Sequence, residues 1–110
     1  MFEITGINGK EIRITRGDSA LLQIDLFDDK GAYTLKDGDI LELSAVEKLG
    51  EPYAIHLYSD RNAIFHIKPS DTKSLDFGVL KYDIQLTLAN GEVYTVVAYS
   101  DFVITKEVTD

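Results

Sequence analysis

Val79-Leu80-Lys81-Tyr82-Asp83-Ile84-Gln85-Leu86-Thr87-Leu88, then Ala89-Asn90-Gly91, then Glu92-Val93-Tyr94-Thr95-Val96-Val97-Ala98-Tyr99, is the stretch that decides the fold. Tyr82, Ile84, Leu86 and Leu88 alternate with Asp83, Gln85 and Thr87. Tyr94, Val96 and Ala98 alternate with Thr95, Val97 and Tyr99. A period of two is that of a strand with one face on a core and one in water. Asn90-Gly91 between two such runs is the strongest short hairpin signal, and it predicts a type I′ turn. Residues 79–88 therefore pair with residues 92–99.

The same period recurs outward from this hairpin. Ile12 and Ile14 keep one phase, as do Ala20, Leu22, Ile24 and Leu26. So do Leu41, Leu43 and Ala45, then Ile55 and Leu57, then Phe65 and Ile67, and finally Phe102 and Ile104. Turn chemistry separates the runs at Asn8-Gly9, Asp28-Asp29-Lys30-Gly31, Lys36-Asp37-Gly38-Asp39, Leu49-Gly50-Glu51-Pro52 and Asp60-Arg61-Asn62. Only Pro69-Ser70-Asp71-Thr72-Lys73-Ser74-Leu75 lacks alternation. It predicts a short helical turn near residues 70–75, capped by Ser70 or Asp71, with Leu75 turned inward. About eight or nine strands at this spacing predict an all-β, Ig-like antiparallel β-sandwich. A small barrel is the alternative. Residues 1–110 read as one domain.

Composition sets outer limits. The chain has 110 residues, with 11 Lys and Arg against 19 Asp and Glu, a net charge of −8. Such a balance disfavours nucleic acid, whose phosphates reward a basic face, and anionic membranes. There is no cysteine, which excludes disulfides, a thiol nucleophile and thiolate metal sites. No apolar run is long enough to span a bilayer, and Met1-Phe2-Glu3-Ile4-Thr5 has no signal-peptide pattern.

Several segments together carry a resemblance. They are Ile14-Thr15-Arg16-Gly17-Asp18-Ser19-Ala20, Tyr33-Thr34-Leu35-Lys36-Asp37-Gly38-Asp39, Gly78, Tyr82-Asp83-Ile84-Gln85-Leu86, Asn90-Gly91-Glu92-Val93-Tyr94-Thr95-Val96 and Phe102 to Thr109. In this layout the chain resembles small Ig-like β-sandwich proteins of Gram-positive prophages. It is similar to the N-terminal domain of phage baseplate upper proteins. The resemblance implies a structural role in a phage tail or baseplate. It also implies expression in a bacterial cytoplasm and assembly into a virion. A longer baseplate protein would continue past residue 110 into a stalk or receptor-binding region.

Chemistry-bearing residues are few. Arg16-Gly17-Asp18 spells an integrin-read tripeptide, but Gly17 and Asp18 are ordinary tight-turn residues, and Arg16 is placed to find a carboxylate. Asp28, Asp29, Asp37 and Asp39 bracket one short strand. Calcium takes six to eight oxygens, yet the loop pattern of a calcium site is missing, so these read as turn residues. His56 and His66 sit at the polar phase of their strands and would approach only if those strands pair. Two imidazoles alone make no zinc site. There is no nucleophile elbow and no phosphate loop. The expectation is a non-enzyme with no catalytic residue, no metal and no cofactor.

Tyrosine is the suggestive residue. Tyr82 and Tyr94 keep core phase. Tyr58 and Tyr99 fall out of phase beside Ile64 and Val97, and these four form the candidate interface. The expected function is a structural, assembly-type protein that meets other protein subunits, itself included, through a strand edge or this face. The alternative is a carbohydrate-binding β-sandwich module. A flat apolar patch belongs to the first reading, and a groove with exposed aromatics and Asp, Asn or Gln to the second.

Overall fold

The alternation around residues 40–46 and 78–88 becomes the centre of a sheet in the computed structural model, which describes residues 3–5, 11–76 and 78–107. Ten strands and one short helix follow along the described residues. They are β1 (Glu3–Thr5), β2 (Ile12–Thr15), β3 (Ala20–Gln23), β4 (Asp25–Asp28), β5 (Gly31–Tyr33), β6 (Ile40–Val46), β7 (Ile55–Tyr58), β8 (Ile64–Ile67), α1 (Pro69–Thr72), β9 (Gly78–Thr87) and β10 (Val93–Thr105). No helix among the described residues is long and apolar enough to cross a membrane.

One layer is a five-stranded sheet in the order β2-β10-β9-β6-β7. The other is built from the pair β3-β8 and the triplet β1-β4-β5. Strands β3 and β4 are separated only by Ile24, whose N–H donates to the Ala63 carbonyl at 2.9 Å. The chain from Ala20 to Asp28 thus bends once and serves both small sheets. The inward residues of both layers form one core. Leu41, Leu43, Ala45, Tyr82, Ile84, Leu86 and Phe102 come from the large sheet, and Ile24, Leu26, Phe65 and Ile67 from the other. Each of these was placed inward by period two. This is the expected all-β sandwich.

Three details depart from expectation. First, the sheet is not wholly antiparallel: β2 runs parallel to β10, with Ile12 opposite Phe102 and Thr15 opposite Thr105. A tight hairpin can join only antiparallel neighbours. Here the intervening domain is itself the connection. β1 pairs with β4 in the second layer, whereas β2 lies in the first.

Second, the hairpin from β9 to β10 forms, but its turn is not type I′. Gly91 has φ +93°, whereas Asn90 is not among the residues with positive φ. The Gly91 N–H donates to the Leu88 carbonyl, and the Leu88 N–H to the Glu92 carbonyl, both at 2.8 Å. This is a three-residue loop, Ala89-Asn90-Gly91, with glycine in the left-handed position. Asn90 serves through its side chain, accepting from the Glu92 N–H at 2.9 Å.

Third, the short helix lies at Pro69–Thr72, and its cap position is Lys68 rather than Ser70 or Asp71. Lys68 precedes it, Pro69 occupies the first turn, and the Asp71 carboxylate reaches back to accept the Lys68 N–H at 2.7 Å. Leu75 packs against the core as expected.

Thr72 explains why α1 matters. It is the buried polar residue of the described chain, fully closed to solvent. Its hydroxyl accepts the Gly17 N–H at 2.8 Å. The turn after β2 is held further by Arg16, whose guanidinium donates to Glu107 Oε1 at 3.1 and 2.9 Å and to the Leu75 carbonyl at 3.2 Å. Lys73 reaches the other oxygen of Glu107 at 2.9 Å. Arg16-Gly17-Asp18 is therefore a tied turn, with its arginine engaged by a carboxylate as expected. Replacing Thr72 with valine keeps the shape and orphans the Gly17 N–H. The expected cost is about 1–3 kcal/mol, read as a lower urea midpoint. A Thr72→Ser variant, which keeps the acceptor, should lose less.

Candidate functional site

A groove of about 620 Å³ lies on the outer face of the five-stranded sheet. Its floor comes from outward positions of β6 and β9: Glu42 and Ser44, Asp83 and Gln85. Register puts Glu42 opposite Gln85 and Ser44 opposite Asp83. Glu42 and Asp83 are thus diagonal neighbours on adjacent strands, a relation that long side chains can bridge. The loop between β6 and β7 forms one wall with Leu49, Pro52 and Tyr53, and Tyr99 on β10 stands on the other side. Tyr53 is 60% exposed, Tyr99 58% and Leu49 74%.

Ring contacts extend the wall along β7. The His56 ring lies 4.9 Å from that of Tyr53 and 5.0 Å from that of Tyr58. His56 Nε2 meets Glu42 Oε2 at 2.7 Å, which ties the wall to the floor. On the opposite side Lys81 is ion-paired with Asp101, and its ammonium sits 5.6 Å from the centre of the Tyr99 ring. The Asp101 carboxylate beside it raises the Lys81 ammonium above its ordinary value.

Asp83 is the unusual group. No hydrogen bond or ion pair from the described residues reaches its carboxylate. Burial, with the Glu42 charge nearby, pushes it above the ordinary carboxylate value. A raised folded-state value means that folding disfavours the ionised form. The penalty is absent when the group is protonated in both states, grows as pH rises through the unfolded and then the folded value, and is full at neutral pH. Asp83→Asn should therefore stabilise the chain at neutral pH. The gain should vanish as pH falls below the carboxylate range, in urea titrations run across that window.

The candidate interface divides. Tyr58 and Tyr99 are exposed on this face, at 60% and 58%. Tyr99 shares the groove with Tyr53, whereas Tyr58 lines a second hollow with Leu35, Ile40 and Arg61. Val97 is not part of a surface strip. It is fully buried, because β10 is irregular between Thr95 and Val97 and again between Val97 and Ser100. These bulges break period two and turn Val96 and Val97 both inward. Ile64 lies on β8, in the other layer, opposite Gln23. The four residues therefore do not form one strip. The face is also not flat.

Other expected features resolve into local roles. His56 and His66 sit in different sheets, on β7 and β8, and do not approach as a pair. His66 Nε2 meets Asp60 Oδ2 at 2.8 Å. That contact comes first among those holding the Asp60 carboxyl below its ordinary value. The acidic turns are also engaged. Asp28 accepts the Lys30 N–H at 2.8 Å, and Asp37 pairs with Arg61. Asp39 accepts the Tyr33 hydroxyl, the Lys36 N–H at 3.0 Å and the Ala89 N–H at 3.2 Å. Burial, then this hydrogen bond to Asp39, pushes the Tyr33 phenol up to about 12. Among the described residues no group of three or more His, Asp or Glu is arranged to hold a metal.

Sequence reasoning missed Tyr53, Leu49 and the groove floor. Glu42, Asp83 and Gln85 were legible as outward positions, but nothing in the alternation showed that the loop at 47–54 stands over them. No protein-family model matches the chain, and no curated protein matches it.

Proposed function

We propose that this domain is a non-enzymatic assembly module, of the phage tail or baseplate kind, that works by contact through the outer face of its five-stranded sheet. The observation that carries the reading is the exposed set Tyr53, Tyr58, Tyr99 and Leu49 on that face. Large rings with polar tips give contact area at low entropic cost, and interfaces are enriched in them. An exposed leucine at the rim adds an aliphatic anchor that suits a protein surface. The similarity in layout to prophage β-sandwich proteins supplies the setting.

The groove favours a second reading. Tyr53 and Tyr99 flank Asp83 and Gln85. Stacking rings around carboxylate and amide acceptors is the arrangement expected of a carbohydrate-binding module, and a groove replaces the flat patch expected for assembly.

The two readings separate in one experiment. Prophage induction in the producing strain, followed by fractionation of tail-like particles, should place the chain in the particle fraction. A Tyr53→Ser, Tyr99→Ser variant should fold and fail to incorporate. A chain found only free of particles, and binding glycans on an array, would sink the assembly reading.

A further inference from the structure

We propose that the groove on the five-stranded sheet seats a lysine or arginine side chain from an exposed segment of a different protein, with the cation on Asp83 and Glu42 and its stem between Tyr53 and Tyr99. The inference rests on the assembly reading and names the chemistry of its partner.

Charge complementarity carries it. The floor holds two carboxylates on adjacent strands, and Lys81 beside them is committed elsewhere. Lys81 is paired with Asp101 on the Tyr99 side, and His56 engages one oxygen of Glu42. Asp83 has no partner among the described residues. Protein surfaces rarely leave a partly desolvated carboxylate unmatched, because the desolvation cost is then uncompensated. An incoming cation would offset that cost with a charge-assisted hydrogen bond.

Lys81 already shows the geometry in miniature. Its ammonium lies on a carboxylate and 5.6 Å from the centre of a tyrosine ring. A second cation in the groove would find the same two elements, a carboxylate below and tyrosine faces beside it. The volume of about 620 Å³ is within the range of sites that accept a side chain with its flanking backbone.

The alternatives fit less well. A second copy of this chain brings a net charge of −8 to an acidic groove. Like-charge juxtaposition across an interface is unfavourable. A neutral oligosaccharide would hydrogen-bond the floor but leave the repulsion between its carboxylates in place.

The test uses the full chain in solution. Backbone amide spectra are followed while it is titrated with an acetylated, amidated glycine peptide carrying one central arginine. The same peptide with glutamate, and neutral gluco- and chito-oligosaccharides, are run in parallel. The arginine peptide should shift the amides of residues 42, 53, 83 and 99, and added salt should weaken the effect. Asp83→Asn should weaken binding about tenfold or more, the loss expected for one charge-assisted hydrogen bond. That variant is expected to gain stability, so its failure to bind cannot be blamed on unfolding. Equal shifts from the arginine and glutamate peptides, or none from either, overturn the proposal and leave contact through Tyr58 intact. Preferential shifts from an oligosaccharide overturn both the proposal and the assembly reading.

Discussion

Phe102→Ala should cost this domain about 3–5 kcal/mol, the usual loss for emptying a ring from a closed core. Phe102 is fully buried in β10, opposite Leu80 on β9 and Ile12 on β2. It therefore packs where antiparallel and parallel neighbours meet. Its ring also stands edge-on to Tyr82, with centroids 6.0 Å apart at 84°. That geometry adds about 0.5–1.5 kcal/mol beyond area alone. A domain of this size holds only about 5–15 kcal/mol in total. The variant should show a much lower urea midpoint with an unchanged slope, the mark of lost stability in an intact two-state transition. Phe102→Leu, which refills most of the space, should lose far less. A loss below about 1 kcal/mol for the alanine variant would mean that the core relaxes around the void, contrary to dense packing.

The second large effect is expected at Gly38. Its φ is +88°, so any side chain there is strained. Space is missing as well: a Cβ would lie 2.7 Å from the Cβ of Ala89. Ala89 has no flexible end to swing aside, and its N–H is tied to Asp39. The Lys36–Asp39 turn and the Ala89-Asn90-Gly91 loop are thus pressed together at one end of the sandwich. Gly38→Ala should incur about 1–3 kcal/mol for the backbone and about 1–3 kcal/mol for the overlap. The two parts can be separated. Ala89→Gly in the Gly38→Ala background removes the overlap and leaves the backbone strain, so it should restore part of the midpoint. Full restoration would refute the backbone part, and no restoration would refute the overlap.

Legibility followed physics element by element. Along β6 and β9 one face is buried and the other wet, so alternation carried the orientation of Leu41, Leu43, Ile84 and Leu86 in plain view. Along β10 the alternation put Val97 on the outer phase with Thr95 and Tyr99, and the bulges there moved it inward. The hairpin was legible at Asn90-Gly91, but its turn type was not. Asn90 works through its side chain, so its preference for turns was real and the inferred backbone shape was not. Sheet membership was the least legible property. Nothing local in Ile64 or Tyr58 says that β8 and β7 lie in different layers, because that is decided by pairing across the whole chain. For the same reason the site was half visible. Tyr58 and Tyr99 were singled out correctly as exposed. Tyr53 sits in an irregular loop, and its role depends on how that loop drapes over β6 and β9.

The parallel pairing of β2 with β10 has a mechanical consequence. The two strands lie side by side and run in one direction, with residues 12–15 in register with residues 102–105. Tension pulling the chain backward from Ile12 and forward from Thr105 would slide them past each other along their length. Every hydrogen bond between them would then be loaded together. A hairpin pulled open at its end surrenders its bonds one at a time. This arrangement resists force in shear, with the Arg16–Glu107 and Lys73–Glu107 ion pairs fastening its far end. Forced unfolding is set by the height of the unfolding barrier. Load applied in that way would thus be carried in shear between the first and last strands of the large sheet.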